Sequence, residues 1–208
     1  MPARFITFEG IEGVGKSTQV ALARSWAEEQ RIAHIVTREP GGTPLAEKIR
    51  DLVLAPRAEN LPPTAELLLM FAARAVHLSN RIQPALDAGD WVLCDRFTDA
   101  TYAYQGAGRG IPAGSIAALE TLVQGTRQPD LTILLDLPVE QGMERVHQRG
   151  LRADRFESER IEFFERVRQG YLRRARSSPT RVFVIDASGT VAAVHEQIAG
   201  RLAALAGS

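Results

Sequence analysis

The sequence predicts an α/β fold, a parallel sheet flanked by helices, and three observations carry that prediction. Short apolar, β-prone runs occur at residues 5–8, 33–37, 91–94, 131–135 and 182–185. Helical periodicity fills the intervals, at 18–29, 45–54, 64–86, 113–124, 139–148, 160–176 and 192–205. The runs are almost continuously apolar, which suits strands buried on both faces, and strands that alternate with helices pair in parallel. Finally, a glycine-rich loop stands between the first strand and the first helix, where an anion-binding turn belongs. Sites in such sheets lie beyond the carboxyl ends of the strands, so the polar residues after each run are the first candidates.

The first run leads into Gly10-Ile11-Glu12-Gly13-Val14-Gly15-Lys16-Ser17-Thr18, which fits G-x-x-x-x-G-K-[ST]. Glycines let backbone N–H groups converge on a phosphate, and the helix N-terminus adds partial positive charge. Lys16 reaches the outer phosphates, and Ser17 carries a hydroxyl for Mg²⁺. The competing reading is a plain glycine turn with a lysine in it by accident. Against that, only Lys16 and Lys48 among the 25 basic residues are lysines. A chain that otherwise uses arginine has put a compact, flexible point charge in this loop. The chain is expected to bind a nucleoside triphosphate.

The second run ends in Arg38-Glu39-Pro40-Gly41-Gly42-Thr43. Thr43 reads as a helix N-cap with Pro44 at the first helical position. Arg38 and Glu39 nonetheless sit at a strand's carboxyl end, and the Gly-Gly pair permits close approach of backbone to ligand. In the long helix 64–86, Leu67, Met70, Phe71 and Arg74 share one face. Such a stripe is usually core, yet an arginine on it needs an anionic or carbonyl partner. Spacing alone leaves core and base pocket equally open.

The third run ends in Asp95-Arg96-Phe97, an acid placed to hold Mg²⁺ beside Ser17 and an arginine placed to meet a phosphate. Residues 98–110 mix hydroxyls, an amide and three glycines, which indicates a mobile or close-packed turn. Tyr104 and Gln105 there suit a sugar or a base edge, with ordinary helix packing as the alternative. Between two later helices lies Arg149-Gly150-Leu151-Arg152-Ala153-Asp154-Arg155-Phe156, either a solvated basic turn or a lid over phosphates. Phosphoryl transfer between two polyanions needs positive charge, and a single arginine can supply ~10³–10⁵ in rate. The variable loop positions supply none, and Glu12 is negative. Two unit charges about 4 Å apart interact by about 4 kcal/mol at an effective dielectric of 20. Glu12 must therefore turn from the triphosphate, and Arg149, Arg152 and Arg155 of a lid at 149–156 are the source of the missing cations. After the last run, Asp186-Ala187-Ser188 is a loop placed to border the nucleotide base. Arg173, Arg174 and Arg176 read as a solvated helix face.

Whole-chain properties narrow the classes. At 208 residues one domain spanning 1–208 is expected. Basic and acidic residues balance at 25 each, so no global field points to nucleic acid or a membrane. One cysteine, Cys94, excludes an internal disulfide and a cysteine-rich metal cluster and fits a reducing cytosol. Neither an N-terminal signal nor an apolar run of membrane-spanning length is seen, and a cytoplasmic location is expected.

Taken together, these segments closely resemble the bacterial thymidylate kinase family over essentially the full length. The resemblance rests on Glu9 to Thr18, on Arg38-Glu39-Pro40-Gly41-Gly42-Thr43, and on Asp95-Arg96-Phe97. Ala103-Tyr104-Gln105-Gly106, Gly108-Arg109-Gly110 and the arginine lid complete it. It implies a five-stranded parallel sheet of the P-loop type, a homodimer formed through helices, and Mg²⁺-dependent transfer of the γ-phosphoryl of ATP to dTMP for dTTP synthesis. It implies that Arg96 and Arg38 handle the dTMP phosphate and that Arg74 and Gln105 read the thymine. Tyr104 would press on the sugar, with Glu12 facing the sugar hydroxyl. Glu39, Arg50 and Thr101 join the dTMP set. A lid with arginines beside a loop without one resembles the lid-catalysed subgroup. Relatives carry a stacking aromatic four residues before the base-reading arginine; here that place is Met70, the aromatic is Phe71, and Phe71 is the expected cover for the base. Two rivals remain: a partner-regulated ATPase, and a kinase of another nucleoside monophosphate. The absence of Asn-Lys-x-Asp argues against a GTPase.

Overall fold

The computed structural model describes residues 2–56, 58–148, 155, 156 and 159–207. Its centre is a five-stranded sheet of β1 (Phe5–Glu9), β2 (His34–Arg38), β3 (Trp91–Asp95), β4 (Leu131–Asp136) and β5 (Val182–Asp186). The order is β2-β3-β1-β4-β5, and every pairing is parallel. Each strand runs one residue past its apolar run, ending in Glu9, Arg38, Asp95, Asp136 or Asp186. Those end residues are polar, and the ladder continues to them. The expectation of strands buried on both faces holds for β1, β3 and β4. The edge strands β2 and β5 are half open, with Val36 and Val184 exposed, because each has a neighbour on only one side.

The helices are α1 (Lys16–Glu29), α2 (Pro44–Leu54), α3 (Pro63–His77), α4 (Gln83–Asp87), α5 (Thr98–Thr101), α6 (Ala113–Gln124), α7 (Val139–Gln148), α8 (Ile161–Ser177) and α9 (Val191–Ala206). The stretch predicted as one helix at 64–86 is interrupted by a π-helical turn, Leu78–Ile82. Pro84 is the reason: its ring has no N–H to give and would clash with the preceding turn, and the wider turn ahead of it relieves both. Thr43 caps α2 by accepting the Ala46 N–H, with Pro44 at the first position, as its sequence requires.

Residues 98–110 are not a mobile turn. α5 continues as a π-helical segment, Tyr102–Gly108, packed hard against α8. A Cβ on Gly108 would stand 2.6 Å from the Phe163 ring, and one on Gly170 2.8 Å from the Ala107 Cβ. The glycines there serve close helix contact. Arg174 is likewise not a fully solvated residue but partly buried. It donates to buried Asp99 at 2.8 Å and lies 4.1 Å over the Tyr102 ring, whereas Arg173 and Arg176 are exposed. The main core joins β1, β3 and β4 to α1, α7, α8 and α9. No helix among the described residues is long and apolar enough to cross a membrane.

Candidate active site

β1 and β3 are neighbours whose chains leave the sheet for different partners, and their carboxyl ends frame the crevice where α/β sheets bind ligands. The register aligns Phe8 with Asp95, and Asp95 with Arg38. A cleft of about 410 Å³ opens here, lined by Glu12, Gly13, Gly15, Lys16, Ser17 and Thr18 on the loop and by Asp95 and Arg96 after β3. Glu39, Pro40, Arg50, Leu54, Met70, Ala100, Tyr104, Gln105 and Phe156 complete the lining.

The loop takes its shape from glycines at positive φ, Gly10 at 134°, Gly13 at 76° and Gly15 at 92°, values that other residues rarely adopt. Ile11 and Val14 turn their side chains into the core, leaving loop backbone toward the cleft. Lys16 Nζ donates to the carbonyls of Ile11 at 2.8 Å and Gly10 at 3.1 Å. Burial, helped by the charge of Arg96, lowers its pKa to about 8. Asp95 Oδ1 is buried without a partner among the described residues.

The Glu12 side chain is held by residues beyond the loop. Its carboxylate accepts the Tyr104 hydroxyl at 2.7 Å and Arg96 Nη2 at 3.0 Å. Arg96 itself sits at φ 70° and donates through Nη1 to the Gly10 carbonyl at 2.8 Å and Tyr171 Oη at 3.0 Å. Its guanidinium lies 4.8 Å from the centre of the Tyr104 ring. Beneath this cluster, wholly buried Glu9 accepts the Phe97 N–H at 2.7 Å and the Tyr171 hydroxyl at 2.8 Å. Burial raises its pKa to about 8.

A second buried cluster adjoins the cleft through Glu39, although its members Arg74 and Thr101 do not themselves line the cleft. Arg74 donates to Glu39 at 2.7 Å and to Thr101 at 3.0 Å. Glu39 also bonds His77 Nδ1 at 3.0 Å, and His77 Nε2 bonds the Thr37 hydroxyl at 2.6 Å. Arg74 Nη1 is buried without a partner among the described residues, and so is Gln105 Oε1. A buried donor on Arg74 and a buried acceptor on Gln105 are therefore unused among the described residues.

Several expected residues lie elsewhere. Phe71 does not line the cleft. It packs with Leu67 and Ile116 and supports Arg74, whose guanidinium lies 4.8 Å over its ring, while Met70 faces the cleft. Arg38 pairs with Glu47 at 3.0 Å and borders a neighbouring hollow that meets the cleft at Ser17 and Asp95. Arg155 does not line the cleft either; it donates to Glu66 and to the Val53 carbonyl. Arg149 and Arg152 lie outside the described residues. Asp186, Ala187 and Ser188 lie outside the cleft; Arg145 links this segment to the loop, its Nη1 standing 3.5 Å from the carbonyls of both Gly13 and Ala187. Phe156, Leu54, Glu66, His77 and Tyr171 were not singled out by sequence. Of these only Phe156 carried a signal, an aromatic beside an arginine in the lid segment.

With this geometry in view, the chain can be set beside known proteins. The sequence profile of the thymidylate kinase family matches residues 8–198. The chain is 59% identical over 202 residues to thymidylate kinase of Chromohalobacter salexigens, covering 97% of this chain and 95% of that protein. It is 55% identical over 198 residues to that of Teredinibacter turnerae, covering 95% and 96%. The crystal structure of thymidylate kinase from Ehrlichia chaffeensis is similar with a TM-score of 0.76 at 35% identity, over 97% of this chain and 99% of that one.

Proposed function

The chain belongs to the thymidylate kinase family, and from that membership we propose that it transfers the γ-phosphoryl of ATP to dTMP, giving dTDP and ADP for dTTP synthesis. The observation that carries the choice of acceptor is two buried atoms unused among the described residues, one on Arg74 and one on Gln105 of the cleft lining. Arg74 Nη1 can donate to a ring carbonyl, and Gln105 Oε1 can accept from the adjacent ring N–H. Thymine offers that carbonyl and that N–H side by side; cytosine offers an amino group and a bare nitrogen. A site with buried polar atoms awaiting a complement rejects an analogue that leaves them unpaired.

ATP places its phosphates on the loop backbone and Lys16, with the loop of Asp186, Ala187 and Ser188 near its base. The buried Oδ1 of Asp95, without a partner among the described residues, and the Ser17 hydroxyl fit Mg²⁺, which is held by one or two protein oxygens plus substrate phosphates. When bound, the ion neutralises charge on the transferring group. The dTMP phosphate is already ionised and acts as the nucleophile, so the protein's work is positioning and electrostatics. Arg96 stands between loop and acceptor, Arg50 lines the acceptor side, and Met70 covers the base. Glu12 and Tyr104, bonded to each other, face the sugar. Arg38 joins the phosphate on leaving Glu47. Arg149 and Arg152 supply lid charge, and Arg155 anchors the lid through Glu66. The exposed Leu45 and Leu52 of α2, Leu68 of α3 and Leu122 of α6 favour a homodimer through helices. The single, buried, unpaired Cys94 suits the cytoplasm.

The test is ADP formation from Mg-ATP with dTMP, dUMP, AMP, CMP or no acceptor, with Lys16→Ala as blank. Turnover strongly favouring dTMP, with dTDP as product, is expected. Hydrolysis indifferent to the acceptor would replace this reading with a partner-regulated ATPase.

A further inference from the structure

Glu66 of α3 is completely buried and none of the roles above requires it to read the base. Its Oε1 accepts Gln105 Nε2 at 2.7 Å, and its Oε2 accepts Arg155 Nη2, with Arg109 Nε 3.5 Å away. Two arginines beside one carboxylate make its burial tolerable. A carboxylate has acceptors only, so it takes the NH₂ end of the Gln105 amide and no other. The amide carbonyl must then point the opposite way. That atom, Oε1, is buried and unpartnered among the described residues, on a side chain that lines the cleft.

We propose that Glu66 is a specificity-positioning residue that locks the Gln105 amide with its carbonyl toward the acceptor base, selecting bases with a ring N–H against cytosine. The proposal rests on the dTMP reading above. An amide has two nearly isosteric orientations, one presenting an acceptor and the other a donor. Rotation in the folded protein would aim a carbonyl at a carboxylate and leave both buried oxygens without a hydrogen bond. An amide at position 66 removes that lock: Arg155 and Arg109, donors only, take its carbonyl, so its NH₂ end faces Gln105 and favours the turned amide. Arg74 still favours a ring carbonyl, so discrimination should fall without vanishing.

The experiment compares kcat/KM for dTMP, dUMP and dCMP in the wild type and Glu66→Gln. The dTMP:dCMP ratio should fall about tenfold or more, the effect of one misassigned hydrogen bond, while dTMP:dUMP stays constant because both bases carry the same N–H. In a Gln105→Met background, Glu66→Gln should leave dTMP:dCMP unchanged. A proportional loss on all three acceptors, or an equal shift in the Gln105→Met background, overturns the proposal and makes Glu66 a lid anchor alone. If Glu66→Gln does not fold, the wild type decides. The Gln105 side-chain amide should exchange slowly and show a scalar coupling to the Glu66 carboxyl carbon. Fast exchange without that coupling overturns the proposal. A wild type that does not prefer dTMP defeats the functional reading itself, a result distinct from all of these.

Discussion

Gly13 of the phosphate loop rests backbone to backbone on Gly142 of α7. A Cβ on Gly142 would lie 2.7 Å from the Glu12 carbonyl oxygen, inside any contact a real Cβ makes. Gly142 thus supports the loop from below. Alanine normally stabilises a helix by about 1 kcal/mol relative to glycine. Here Gly142→Ala should do the reverse, costing about 1–3 kcal/mol of overpacking and weakening ATP binding, because the loop must lift to make room. A thermal melt read beside the KM for ATP checks it; a raised melting temperature with unchanged KM would show that the contact yields freely.

His77 holds two segments in register. It bonds Glu39, which bonds Arg74, and its imidazole occupies the space where a Cβ on Gly42 would go. His77→Phe keeps the bulk but strands Glu39 Oε1 and the Thr37 hydroxyl, at about 1–3 kcal/mol each. Because Glu39, with its His77 anchor gone, then holds Arg74 less firmly, KM for dTMP should rise roughly tenfold or more for ~1.4 kcal/mol or more of lost acceptor binding. KM for ATP should hold. Steady-state kinetics with each substrate varied separates the two, and a loss falling equally on both would assign His77 to stability alone.

The phosphate loop and the five strands are legible in sequence because their signals are local: glycine spacing, apolar runs, and polar residues just past each strand. What sequence leaves open is decided by distant partners. Met70 and Phe71 are adjacent on one helix, and only packing against Leu67 and Ile116 sends Phe71 away from the cleft. Arg155 reads as a free lid cation until Glu66, 89 residues earlier, claims it. Arg38 sits at the right strand end, yet Glu47 of the next helix holds it. The π-helical segment that carries Tyr104 and Gln105 has no recognisable period, and its glycines resemble a turn until α8 is seen packed against them.

Lys16 gives a proton-linked signature of nucleotide binding. Burial and then Arg96 lower its pKa to about 8, with Asp95, Glu12 and Glu9 opposing. A bound polyphosphate favours the ammonium, so the pKa rises on binding. Above pH of about 8 the free protein holds a partly neutral lysine, and binding of Mg-ATP should take up protons there. Calorimetry in buffers of different ionisation enthalpy measures the uptake. It should diminish as pH falls below about 8, where the lysine is already charged. Uptake independent of pH across this range would place the titration on another group.

Glu9 makes stability depend on pH in the direction opposite to a carboxylate whose pKa folding lowers. Burial raises its pKa from 4.5 to about 8, Asp99 adds to the rise, and Arg96, the Tyr171 hydroxyl and the Phe97 N–H oppose it. The folded chain therefore binds this proton more tightly than the unfolded one. Its contribution is full below pH 4.5 and is lost as pH rises through about 8. Glu9→Gln keeps an acceptor for the Phe97 N–H and removes the titration. Relative to the wild type, the variant should gain stability steadily between pH 4.5 and about 8, then keep a constant advantage at higher pH. Urea denaturation at a series of pH values reads the difference. A wild-type and variant pair whose curves run parallel from pH 4.5 to 8 would mean that Glu9 stays ionised in the fold, held by Arg96 more strongly than burial opposes it.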